Sequence, residues 1–146
     1  AENREAEMIK EEHIEDARSQ LEQERIEEGM RELTTHGRLA LLAVISKAAK
    51  EETPCRTRDL YEEYRSLCES SETDALGQRS LHNHLSDLRM LGIFSVHENR
   101  SGSRGNYYNY ELDVPFTSAV EVMSDVLRLT TEIETIRDIA AMNNVG

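Results

Sequence analysis

The chain has 146 residues, a formal charge of −12 and 38% apolar side chains, enough for one modest core and too many for a wholly disordered segment. Its longest apolar run, Leu39–Ile45, is seven residues, far short of a membrane span, and no basic-plus-apolar leader marks it for export, so the expected location is the cytoplasm. Cys55 and Cys68 form no Cys-x-x-Cys pair, which predicts two reduced thiols in place of a disulfide framework.

Taken in chain order, residues 9–33 hold no proline, one glycine and many Glu, Gln and Arg, and predict a helix. Its sparse apolar stripe of Ile14, Ala17, Leu21, Ile26, Met30 and Leu33 must pack on something else, being too narrow to build a core alone. The chain opens inside this charged helix at Ala1, which points to a piece of a longer protein. Thr34 to Gly37 punctuate the helix, and "RLALLAVISKAAK" from Arg38 to Lys50 is predicted as a central buried helix. Pro54 marks a turn or short extended piece, with Thr57 as the expected N-cap of the next helix. That helix, 58–68, turns Leu60, Tyr61, Tyr64 and Leu67 to the core. A polar loop follows, then a helix from about Leu76 to Leu91, stopped by Gly92.

Beyond it, 93–97 and 107–112 alternate with period two around a Gly/Ser/Arg loop at 100–105, the pattern of a β-hairpin. The alternation sets Tyr108, Tyr110 and Leu112 on one face, expected to pack on the core, and Tyr107, Asn109 and Glu111 on the other. Pro115 ends the second strand, and 118–129 and 132–142 read as amphipathic helices. The order helix, short strand, helix, turn, helix, hairpin is that of a winged helix-turn-helix domain, giving a mainly α protein with a small β-hairpin, flanked by N- and C-terminal helices.

Charge is uneven along this order. Residues 1–36 carry 12 acidic and 5 basic side chains, while 77–110 carry only Asp87 and Glu98 against Arg79, Arg89, Arg100 and Arg104. A negative chain with one positive segment accommodates an anionic partner at that segment. Lysine is scarce, 3 against 14 arginines, which with the acidity resembles proteins of salt-rich cytoplasm.

The helix before the hairpin carries a specific surface. At about 100° per residue, Leu81, Leu85 and Leu88 share one arc and define its buried side. Arg79, Asn83, Ser86 and Met90 then face away, with His82 and Asp87 at the margins. Arg, Asn and Ser hydrogen-bond base edges and phosphates, and Lys and Glu, the common fillers of a solvated face, are missing from this helix. The string His82-Asn83-His84 spells the shorthand of a nuclease motif. Positions i and i+2 of a helix point about 200° apart, however, so these imidazoles cannot share a metal. No phosphate loop, nucleophile elbow or zinc-protease motif occurs, and nothing predicts catalysis, a cofactor or a metal in this chain.

The segments "PCRTRDLYEEYRSLC", "QRSLHNHLSDLRMLGIF" and "ENRSGSRGNYYNYELD" resemble the carboxyl-terminal winged-helix domain of the archaeal origin-recognition and cell-division-control replication initiators. The preceding stretch from Glu5 to Ile45 is similar to the passage from that family's AAA+ lid into the winged helix, and the likeness is greatest to salt-loving archaea. The resemblance implies the end of the lid and a connecting helix over 1–33, the winged helix over 34–115 and C-terminal helices over 116–146. It implies binding to double-stranded origin DNA and help in loading the replicative helicase, with helicase subunits as partners; apart from the resemblance, no membrane partner and a monomeric piece are expected. Carried onto this sequence, the major-groove residues are Gln78, Arg79, Ser80, His82, Asn83 and Ser86. The wing residues are Arg100, Ser101, Gly102, Ser103, Arg104, Gly105, Asn106 and Tyr107, and Arg56, Thr57 and Arg58 are candidate phosphate contacts. ATP and Mg are expected for the full-length parent, whose nucleotide-binding residues would precede Ala1.

The wing also has a physical reading of its own. Gly102 and Gly105 allow close backbone approach to phosphate, and Arg100 and Arg104 can neutralise phosphates or enter a narrow minor groove. Two other readings of the same architecture stand beside this one. A dimeric transcription regulator would pair through the flanking helices 10–33 and 116–142. A protein-docking winged helix would have no DNA role.

Overall fold

The computed structural model describes residues 2–99 and 107–146, with side chains described for 13–98 and 108–146. Helices are α1 (Glu2–Arg31), α2 (Thr35–Ala49), α3 (Thr57–Ser70), α4 (Gln78–Met90), α5 (Phe116–Val126) and α6 (Thr130–Met142). The strands are β1 (Cys55–Arg56), β2 (Phe94–Asn99) and β3 (Tyr107–Leu112), hydrogen-bonded antiparallel in the order β1-β3-β2. No helix among the described residues is long and apolar enough to cross a membrane.

The core is built round α2. Leu39 to Ile45 are all buried, so this helix has no outer face along that stretch, as its uninterrupted apolar run requires. Thr34 caps it, its hydroxyl accepting from the Gly37 amide at 3.2 Å. A Cβ at Gly37 would sit 3.3 Å from that hydroxyl, so the cap and the glycine are matched. α3, α4, α5, α6 and β3 all pack on α2. The terminal helices therefore fold back onto the same core. Asn143 donates to the Ala49 carbonyl at 2.9 Å, and Arg38 donates to the carbonyls of Arg31 (2.7 Å) and Val126 (3.5 Å). Val120, Met123, Ile133 and Ile136, on the helices through which a dimeric regulator would pair, are buried within the chain.

Several expectations need correcting. The capping residue of α3 is Arg56, without a side-chain cap bond, and Thr57 is the first helical residue. Only the C-terminal part of the α1 stripe packs: Met30 is buried and Ile26 and Leu33 lie against the core, whereas Ile14 and Leu21 are exposed. α4 ends as its glycine predicts. Gly92 has φ +81°, and the Gly92 and Ile93 amides donate to the Arg89 and Leu88 carbonyls. Tyr108 is 40% exposed and is not a core residue. It shares a sheet face with Tyr110 and Leu112, but at its position the core beneath the sheet has ended.

Two tyrosines of α3 hold the turn that launches α4. Tyr61 donates to the Leu76 carbonyl at 2.9 Å, and Tyr64 accepts from the Leu76 amide at 3.0 Å. The Tyr64 hydroxyl also meets His36 Nδ1 at 2.7 Å. Burial, reinforced by the nearby His84, holds the His36 imidazole below its usual pKa of 6.5. Folding thus favours neutral His36, and protons bind the unfolded chain more readily. Its contribution is fully present above pH 6.5 and declines as pH falls below that value toward the lowered folded pKa. Comparison of urea midpoints for the parent and His36→Gln tests this. The gap between them should narrow from about pH 8 to about pH 5, carboxylate effects being common to both. A constant gap would show that His36 does not titrate differently in the fold.

Candidate nucleic-acid interface

α4 is amphipathic because Leu81, Leu85 and Leu88 recur at four- and three-residue spacing, and all three are buried. This orients the rest of the helix. Gln78, Arg79, Ser80 and Asn83 are exposed, as are Asp87, Arg89 and Met90, the last at 85%. Gly77 precedes the helix without a side-chain cap, leaving first-turn amides open to an anion. Arg79 and Asn83, one turn apart, present a guanidinium and an amide side by side.

His82 and Ser86 belong to a different surface. Both are half-buried and turn toward the hairpin. His82 stacks on Tyr108 (centroids 6.4 Å, planes 21° apart) and meets Tyr110 edge-on at 6.4 Å. Its Nδ1 lies 3.5 Å from the Thr57 hydroxyl. Burial pushes the Tyr110 phenol pKa up, against hydrogen bonds with Ser86 and Thr57 that lower it. Of the residues read from the sequence as DNA contacts, Thr57 and His82 thus meet each other, and His82 meets the Tyr108 and Tyr110 rings of β3. Arg56 Nε sits 3.8 Å from Asp59, and Arg58 is exposed at the start of α3.

Two residues at this junction escape a reading of the sequence alone. The Arg89 guanidinium carbon lies 5.9 Å from the centroid of the exposed Tyr108 ring. Spacing carries a signal for Arg89, since it follows Ser86 by three and His82 by seven and so shares their flank of the helix. Tyr108 has no such signal, because alternation places it in the core.

The wing positions Arg100, Ser101, Gly102, Ser103, Arg104, Gly105 and Asn106 lie outside the described residues, as does the side chain of Tyr107. The strands leading to them are paired from Phe94↔Leu112 to Asn99↔Tyr107. On their outer face His97 Nε2 and Glu111 Oε1 are hydrogen-bonded at 2.5 Å. His84 turns from His82 toward His36, ring centroids 6.3 Å apart. Among the described residues no three His, Cys, Asp or Glu side chains gather as a metal site. Both cysteines are buried and free, and burial raises the Cys55 thiol to about 12, which leaves it unreactive.

A family model described as "CDC6, C terminal winged helix domain" matches residues 28–122. ORC1-type DNA replication protein 15 of Haloarcula marismortui is 94% identical over 146 residues, all of this chain and 36% of that protein. ORC1-type DNA replication protein 10 of Halobacterium salinarum is 66% identical over 99% of the chain and 36% of its own length. The chain thus spans about a third of these relatives. Among solved structures, the Aeropyrum pernix ORC1 protein in complex with DNA is similar at TM-score 0.68 and 27% identity, over 78% of this chain and 30% of that one.

Proposed function

The chain belongs to the family of CDC6 C-terminal winged helix domains found in ORC1-type DNA replication proteins, and from that premise we propose that it binds duplex DNA at replication origins through the outer face of α4. The observation that carries this reading is the α4 surface itself. Arg79 and Asn83 stand exposed and adjacent over a helix whose opposite side is locked into the core by three leucines. The similar Aeropyrum pernix protein was solved with DNA bound, which supports the same partner here. Gln78 and Ser80 flank the pair, and the hairpin would bring Arg100 and Arg104 to a neighbouring minor groove. On this reading Arg58, exposed at the start of α3, contributes a phosphate contact. Helicase loading, and ATP with Mg, belong on this reading to the longer protein.

Selection of binding duplexes from a random pool, followed by footprinting, tests the proposal. A recurring motif should emerge, with protection extending from a major groove into the adjacent minor groove. Arg104→Ala should weaken binding to that motif by about 1–3 kcal/mol. A pool that shows no enrichment would leave the winged helix as a protein-docking module.

A further inference from the structure

The junction between α4 and β3 lies between the two parts of the molecule that would enter DNA grooves. A duplex with α4 in its major groove and the hairpin over the next minor groove has one sugar-phosphate strand separating those grooves. That strand must cross the surface between helix and hairpin, where Arg89, His82 and Tyr108 are exposed or half-exposed. We propose that Arg89, its guanidinium over the Tyr108 ring, is a phosphate clamp for this strand; the inference rests on the DNA-binding reading above and deepens it.

The geometry suits the role. The Tyr108 ring packs against His82, which stacks on it and is itself edge-on to the buried Tyr110. The Arg89 guanidinium lies 5.9 Å from the Tyr108 centroid. A guanidinium over an aromatic ring keeps its in-plane N–H donors free, and those donors match phosphate oxygens. Stacking also restricts a long side chain before binding, so less rotamer freedom is lost when the phosphate arrives. Phosphate contacts carry no sequence information, which separates this site from Asn83.

The test uses the full 146-residue chain with two probes: a duplex selected by that chain from a random pool, and a shuffled duplex of the same composition. Arg89→Ala should weaken both by about tenfold and reduce the slope of log Kd against log salt by about 0.9, the signature of one lost phosphate contact. Tyr108→Phe should leave affinity and slope intact, because the ring remains. Tyr108→Ala should approach the Arg89→Ala values, and the double variant should be no weaker than Arg89→Ala alone. Unchanged binding by Arg89→Ala, or a loss confined to the selected duplex, would overturn the clamp. Failure of the parent chain to bind either duplex would instead sink the DNA-binding reading on which the clamp depends.

Discussion

Asn83→Ala should weaken binding to the selected duplex by about 1–3 kcal/mol, roughly fivefold to 150-fold, while leaving the shuffled duplex nearly unaffected. The side chain is exposed on α4, opposite the leucines that anchor the helix, so its amide is available to the edge of an adenine. Alanine favours helix, so the fold should persist and the loss would report the contact alone. Arg79→Ala, one turn earlier, should cost a similar amount, with part of it shared by both duplexes because a guanidinium also neutralises phosphate. The acidity of the chain sharpens the contrast. Salt screens the repulsion between DNA and distant carboxylates, but it also erodes every phosphate contact through counterion release. Base contacts such as that of Asn83 should therefore account for a growing share of affinity as salt rises. If Asn83→Ala and Arg79→Ala both bind like the parent, α4 is not the reading surface.

Tyr110→Ala should lower stability by about 3–5 kcal/mol, against a total of about 5–15 kcal/mol for a domain of this kind. Tyr110 is 1% exposed and sits at the centre of the sheet, in register with Cys55 on β1 and Val96 on β2. Its ring meets Phe94 and His82 edge-on. Truncation would open a cavity beneath the hairpin and remove the ring contacts with Phe94 and His82. Urea unfolding should show a much lower midpoint with little change in slope. Tyr108→Ala, two residues away on the same face, should change stability by no more than about 0.5 kcal/mol. Equal effects for the two tyrosines would mean that the hairpin is not anchored in the way its register indicates.

Much of this architecture is legible in the amino-acid sequence. The apolar run at 39–45 fits a helix buried on all sides, and the Leu81, Leu85 and Leu88 spacing orients α4 correctly. Gly92 marks the helix end, and the alternation at 107–112 matches β3 residue for residue. The failures share one cause. Periodicity and helix-start rules place Tyr108, Thr57 and Ser86 by the direction of a side chain, without saying how far the core extends beneath it. Tyr108 points the core way and finds its edge. Ser86 and Thr57 are expected toward solvent on their own helices and end half-buried.

The order of elements, the helix faces and the hairpin alternation are written in local sequence, because these depend on neighbours within a few residues. The positive segment inside an acidic chain likewise locates the candidate surface at 77–110. Three-dimensional packing was needed to show that α5 and α6 fold back on α2, that α1 leaves Ile14 and Leu21 exposed, and that Arg89 stacks on Tyr108. The packing of α5 and α6 and the Arg89–Tyr108 stack join residues far apart in the chain. All three features depend on how much room the packed helices leave at the edge of the core, which no local pattern records.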